Sequence, residues 1–341
     1  MQIGDRKRRA GALAGPLRKA AGASLLAGIG WLGYSAWFVP HQLPLPKAVD
    51  AERLETHGRS GRLSYYRAGT GSPLLLIHGI NAAGSAYEVR PVFERYAGSR
   101  RVYAPDLPGF GFSERSDREY NVRLYVDAIH DMLDVIGPEP VDALALSLSS
   151  EFLARAALER PERFRTLTLV TPTGFRRDES SFDAEPGATR ENRGLLAALR
   201  VPIWERAAFD LLTSKASIRW FLEKTWGSKE IDEGLLEYDY LTSHQPGAQY
   251  APYAFISGRL FSRDIRRVYA GLSAPVWMPY GTRGDFSDLS EAGVVSEWPN
   301  WSAEPFESGA LPYFERPEQF FASYDRFLAA RAGISRAAGA P

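Results

Sequence analysis

The 341-residue chain contains no cysteine, which excludes disulfide frameworks, thiolate zinc sites, Fe–S clusters and a cysteine nucleophile together. Histidine is scarce as well: His41, His57, His78, His130 and His244 are all there are, and none follows His244. Net charge is also missing. Lys+Arg and Asp+Glu both number 41, so the body has no overall field to draw in nucleic acid or an acidic polymer. What is present is ordinary for a globular protein: 45% hydrophobic and 24% charged residues, enough to exclude wholesale disorder. The length suits two units, or one large α/β domain carrying an insertion.

One long run lacks charge altogether. Residues 20–39 are twenty positions without Asp, Glu, Lys or Arg, about the length a helix needs to cross roughly 30 Å of hydrocarbon. Arg6, Lys7, Arg8, Arg9, Arg18 and Lys19 precede it, whereas only Lys47 and Arg53 follow closely. That asymmetry predicts a single-pass anchor with a cytoplasmic N-terminus and an extracytoplasmic domain. A cleaved signal peptide is the alternative, with Gly33 and Ser35 as the small residues before a cut. The expected partition is a basic segment 1–19, a transmembrane helix 20–39, a Pro-rich linker 40–54, a globular domain 55–331 and a tail 332–341.

Beyond the linker, strand and helix signals alternate. Leu74-Leu75-Leu76-Ile77 is a continuous apolar run, as expected of a strand buried on both faces of a parallel sheet. Strands are also predicted at Leu63–Arg67, Val102–Pro105, Val141–Leu146, Leu167–Val170 and Val276–Tyr280. Helices are predicted at Ser85–Tyr96, Val122–Ile136 (stopped by Gly137-Pro138), Ser149–Glu159 and Pro317–Ala330. Such alternation implies right-handed crossovers. Between about residues 175 and 273 the pattern becomes helical and aromatic, and Trp298-Pro299-Asn300-Trp301 is a further aromatic cluster. These rings suit either a lid over an apolar or lipid-like ligand or simply the core of a cap.

Three motifs, Ile77-His78-Gly79, Asp106-Leu107-Pro108-Gly109-Phe110-Gly111-Phe112-Ser113 and Ala145-Leu146-Ser147-Leu148-Ser149, occur in an order and spacing that resemble the α/β-hydrolase superfamily. The resemblance implies a mostly parallel sheet flanked by helices with an inserted helical cap. It implies that Ser147 is a nucleophile at a sharp strand-to-helix turn, facing an oxyanion hole made by the amides of Leu148 and Ile80. Ala145 and Ser149 stand where the family usually has glycine. A serine cluster that merely caps a helix is the plainer alternative. His78 and the Asp106–Ser113 run are expected to support the site structurally.

The resemblance also places an acid after the Val276–Tyr280 strand, at Asp285, with Asp288 as substitute. The histidine that this acid would orient is missing. In Gly309-Ala310-Leu311-Pro312, the residue after the glycine is alanine. A serine hydroxyl is a poor nucleophile until a base takes its proton. In subtilisin, losing the histidine costs about as much as losing the whole triad, roughly six orders of magnitude. His244, His130, Glu151, Tyr313 and Glu315 are the remaining candidates near enough in sequence or topology to weigh. Two functions therefore follow: a membrane-anchored serine hydrolase of ester or related acyl bonds with an unidentified base, or a catalytically silent relative that binds a hydrophobic ligand or a partner. Neither implies a metal, a cofactor or nucleic acid; both take a small molecule, apolar or lipid-like.

Overall fold

A computed structural model describes residues 26–177, 180–285 and 289–338. Its centre is a sheet of β1 (Glu52–Gly58), β2 (Gly61–Ala68), β3 (Pro73–Ile77), β4 (Arg101–Pro105), β5 (Val141–Leu146), β6 (Phe164–Val170), β7 (Val276–Gly281) and β8 (Trp301–Phe306). The spatial order is β1-β2-β4-β3-β5-β6-β7-β8. β2 runs antiparallel to β1 and β4, and every later pairing is parallel.

The apolar runs explain the layering. Every residue of β3 and β5 is buried, and alternate side chains serve opposite cores. Leu75, Ile77, Val141, Ala143 and Ala145 join one cluster, with α3 (Val122–Ile136) and α4 (Ser149–Glu159). Leu74, Leu76, Leu144 and Leu146 join the other, with α2 (Arg90–Tyr96) and α12 (Pro317–Ala338). Each fully buried Leu or Ile contributes about 1.5–3 kcal/mol. The Asn121 side chain caps α3 by accepting from the Leu124 amide at 3.0 Å, and the expected stop at Gly137 is where the helix ends.

Three local expectations need correction. The sheet has edge strands β1 and β8 that the hydrophobic pattern does not announce. The helix expected from Ser85 begins as a 3-10 turn, Ala86–Val89, before α2. Trp301, read from sequence as part of a lid or of a cap core, belongs to β8 of the sheet.

Between β6 and β7 the chain forms a cap: α5 (Arg193–Leu199), α6 (Glu205–Leu212), α7 (Lys215–Trp226), α8 (Glu233–Ser243), α9 (Tyr250–Ile256) and α10 (Ile265–Ala270). Side chains of Asn192, Ser214 and Asp232 accept from the first-turn amides of α5, α7 and α8.

The expected spanning helix is described only from residue 26, as a helix α1 over 26–38. No helix among the described residues is long and apolar enough to cross a membrane; residues 20–25 lie outside them. What α1 does is pack on the cap. Trp31 Nε1 donates to the Ala207 carbonyl at 2.8 Å, and Ser35 Oγ donates to Asp210 Oδ2 at 2.6 Å. The following segment is also tied down: Gln245 Nε2 donates to the Leu43 carbonyl at 2.7 Å and the Tyr238 hydroxyl to that of Pro46 at 3.0 Å.

Candidate active site

From β3 the chain runs to β4 on one side, and then β5 pairs with β3 on the other. That reversal opens a crevice at the carboxyl ends of β3 and β5, where open α/β sheets bind ligands. Ile80 and Ser147, each a few residues past one of these strand ends, line a cavity of about 450 Å³ together with Ala310 and Asp285.

Ser147 is one of two non-glycine residues with positive φ among the described residues, at +52°. Its amide donates to the Val170 carbonyl at 2.9 Å while its own carbonyl accepts from Ser150 at 3.0 Å. The backbone is thus clamped on both sides in a conformation that costs a non-glycine residue about 1–3 kcal/mol. The small flanks permit this: Ala145 and Ser149 are fully buried, and Ser149 Oγ donates to the His78 carbonyl at 2.6 Å. The turn that glycines usually allow is made here with an alanine and a hydrogen-bonded serine. The other positive-φ residue, Thr171 at +44°, lies on the same cavity wall and donates through Oγ1 to the Ala310 carbonyl at 2.9 Å.

Ile80 lies on the cavity wall and Leu148 directly follows Ser147. The Ile80 and Leu148 amides donate to no acceptor among the described residues. His78 is fully buried; its Nε2 accepts from the Leu107 amide at 2.9 Å and its Nδ1 donates to the Gly79 carbonyl at 2.6 Å. Burial pushes it down to about 4, so the ring is neutral and ties two loops together. Asp106 does similar work, accepting from Ala86 at 3.0 Å and Phe112 at 2.9 Å. Gly111, at φ +49°, approaches that carboxyl so closely that a Cβ would fall 1.9 Å from Asp106 Cγ.

The proton-handling half differs from the family pattern. Asp285 reaches the cavity rim, but no imidazole lines the cavity. Its carboxylate instead pairs with Lys224 Nζ at 2.9 Å and its side chain is 62% exposed. Asp288 lies outside the described residues. Ala310 is buried at the vacant slot, its amide donating to the Thr225 carbonyl at 3.0 Å. His244 does not fill the vacancy. It closes α8, stacks on Tyr240 and bonds that residue's carbonyl through Nδ1 at 2.7 Å. His130 sits in α3, its Nε2 3.7 Å from Glu159. Glu151 is buried beneath the cap, accepting from Thr173 Oγ1 at 2.5 Å and the Ser262 amide at 2.8 Å. Glu315 accepts from the Gly309 amide at 2.6 Å, and Tyr313 is buried outside the cavity.

Glu88 is the residue that the sequence pattern missed. It lines the cavity although it is only 4% exposed. Its Oε2 accepts from the Gly79 amide at 2.7 Å and its Oε1 from Asn81 Nδ2 at 2.5 Å. Burial raises it from 4.5 to about 7, against the pull of those two donors. An acid inside the apolar stretch Ala86-Tyr87-Glu88-Val89, all four buried, is the signal that could have found it.

The sheet order and the tight strand-to-helix turn at Ser147 are the features on which the comparisons with known proteins bear. The family model described as the alpha/beta hydrolase family matches residues 74–324, and the chain belongs to that family. It is 37% identical over 115 residues to a 2-hydroxymuconate semialdehyde hydrolase of Pseudomonas sp. (strain CF600), a match covering 33% of this chain and 41% of that protein. The chain thus spans about two-fifths of the length of the first curated relatives it matches. A pimeloyl-[acyl-carrier protein] methyl ester esterase of Aliivibrio salmonicida is 24% identical over 270 residues, covering 78% of this chain and 95% of its own. Among solved structures, a bacterial membrane phospholipase A superposes with a TM-score of 0.65 at 20% identity, covering 96% of this chain and 99% of that one.

Proposed function

We propose that the protein is a hydrolase of ester or related acyl bonds, with Ser147 as nucleophile and the Ile80 and Leu148 amides as oxyanion donors. The observation that carries this reading is the strained Ser147 backbone, at φ +52° on the cavity wall. A serine that merely caps α4 needs no such conformation, and α4 has no side-chain cap bond at all. The cavity wall also presents Phe255, Ile256, Phe261 and Leu311, which suits a small molecule with an apolar acyl portion. Relatives named as a semialdehyde hydrolase and a methyl ester esterase support hydrolysis as the reaction class.

Treatment with a fluorophosphonate is expected to label wild-type protein at Ser147 and to leave Ser147→Ala unlabelled. Absence of labelling in folded wild-type protein would instead support the second reading, a silent ligand binder. That reading is favoured by one specific observation, the alanine at position 310 beside an Asp285 engaged by a lysine.

Membrane attachment through the N-terminal segment belongs to the same proposal, with the domain on the extracytoplasmic side. The chain's basic start and uncharged run support it, as does the distribution of exposed apolar side chains. Of the large ones exposed among the described residues, all but Leu158 lie on α1 or within 175–273, including Trp37, Phe38, Ile203, Leu211 and Trp220. Sedimentation with vesicles containing anionic lipid is expected for the full chain. It should weaken about tenfold or more in Trp37→Glu/Phe38→Glu; unchanged sedimentation would remove these side chains from the attachment.

A further inference from the structure

Ser147 needs a proton acceptor, and the cavity restricts the choice. Among the described residues lining it, the side chains with an acidic oxygen are Glu88 and Asp285. Asp285 is open to solvent and held by Lys224. Glu88 is inside, at the base of the oxyanion loop. A Cβ placed on Gly79 would lie 3.2 Å from Glu88 Oε2 and 3.5 Å from the side chain of Leu146, the residue just before Ser147. Resting on the reading of Ser147 as nucleophile, we propose that Glu88 is the general base that replaces the missing histidine, taking the Ser147 proton directly or across one water.

The geometry of its bonds fits that work. A carboxylate offers about four acceptor positions; Gly79 and Asn81 occupy two and fix its orientation, leaving others for a hydroxyl. The surroundings place its titration near neutrality. Asp239 on α8 faces it from the cap, buried, with Oδ1 unpartnered, and is itself pushed well above the usual carboxylate range by burial and by the Glu88 and Asp232 charges. Tyr313 faces it from α11 (Pro312–Glu315), its hydroxyl buried without a partner. No cation enters this cluster among the groups acting on Glu88. Burial favours the neutral form of both acids, and the Gly79 and Asn81 donors favour the charged form of Glu88, on the cavity side.

The step balances. As the Ser147 Oγ–carbonyl carbon bond forms, the hydroxyl proton passes to the Glu88 carboxylate and negative charge collects on the carbonyl oxygen, facing Ile80 and Leu148. Collapse breaks the bond to the leaving oxygen, which takes the proton from Glu88. Water then repeats the sequence: its proton goes to Glu88, its oxygen bonds the acyl carbon, and Ser147 Oγ departs with the proton.

The test uses the full chain and a p-nitrophenyl acyl ester. Glu88→Gln is expected to lower kcat by about 10²–10⁴-fold, the usual contribution of a general base, with KM moved less than threefold. In Glu88→Ala, added formate is expected to restore kcat in a saturable manner. Asn81→Ala keeps the carboxylate but removes a donor to its charged form, so the acid limb of the kcat/KM profile should move to higher pH. Full activity in Glu88→Gln overturns the assignment, and so does a loss that formate does not rescue with an unmoved acid limb in Asn81→Ala, since Glu88 then only holds the loop. Turnover that survives Ser147→Ala is a different failure, that of the nucleophile itself.

Discussion

The two ends of the catalytic rim have been treated differently. At the carboxyl ends of β3 and β5, the geometry keeps the features that the proposed reaction needs: Ser147 is held at φ +52° and the Ile80 and Leu148 amides have no acceptor among the described residues. At the ends of β7 and β8, the arrangement for moving protons is dismantled: Ala310 fills the imidazole slot and Asp285 turns to Lys224. The contrast separates two tasks that a triad normally merges. Stabilising charge depends on backbone geometry, which the fold enforces through hydrogen bonds from several strands. Proton transfer depends on one side chain, which is absent at position 310 and which Glu88, as proposed, supplies from the loop side.

That contrast can be broken most severely at the first end. Ser147→Ala should lower turnover by about 10⁴–10⁶-fold, the range that loss of a nucleophile produces, while melting temperature stays within a few degrees, because alanine meets the same strain at positive φ. Stopped assays on the same ester would read it.

A smaller effect is expected at the dismantled end if its chemistry is rebuilt. Ala310→His in a Glu88→Gln background should recover about tenfold in kcat. Its acid limb should move towards the ordinary histidine range near 6.5, because the new base is active only when neutral. In wild-type protein the limb should lie near 7, with activity lost as pH falls and Glu88 protonates.

The smallest effect is the sharpest discriminator. In a complete triad the acid orients the imidazole, and replacing it in trypsin costs about 10⁴ in kcat. With no imidazole to orient, Asp285→Asn should change kcat less than threefold in steady-state assays. A loss of a hundredfold or more would return Asp285 to the reaction.

Much of this was legible in the sequence because it is written in runs. Leu74–Ile77 is apolar throughout and Val141–Leu146 is apolar except for Asp142, which is buried against Arg100 and Arg165; burial on both faces is the physical cause. Ser147 was legible because an elbow needs a buried strand, small flanks and a following helix in fixed succession. The edges were not. β1 reads Glu-Arg-Leu-Glu-Thr-His-Gly and is mostly exposed; β8 contains Pro305, which only an edge strand accommodates readily. Sequence could place Asp285 after its strand but could not show Lys224 from α7 reaching it. Glu88 was hidden for a related reason: its setting is made by Gly79 and Asn81, Asp239, and Tyr313 converging from three segments, and no local periodicity records that meeting.

The union of α1 with the cap has a practical consequence for anyone trimming the protein. Asp210 is 1% exposed on its side chain and is held not by the cap alone but jointly by hydrogen bonds with Ser35 and His41 and by the Arg206 guanidinium. Cutting the chain just ahead of β1 to gain a tractable fragment would strip away two of those three companions. A sealed carboxylate would be left with one guanidinium, and the roof over the catalytic crevice would loosen. The N-terminal segment is therefore also a brace for that roof, and a fragment trimmed of it is expected to behave differently from the full chain in any assay of the crevice.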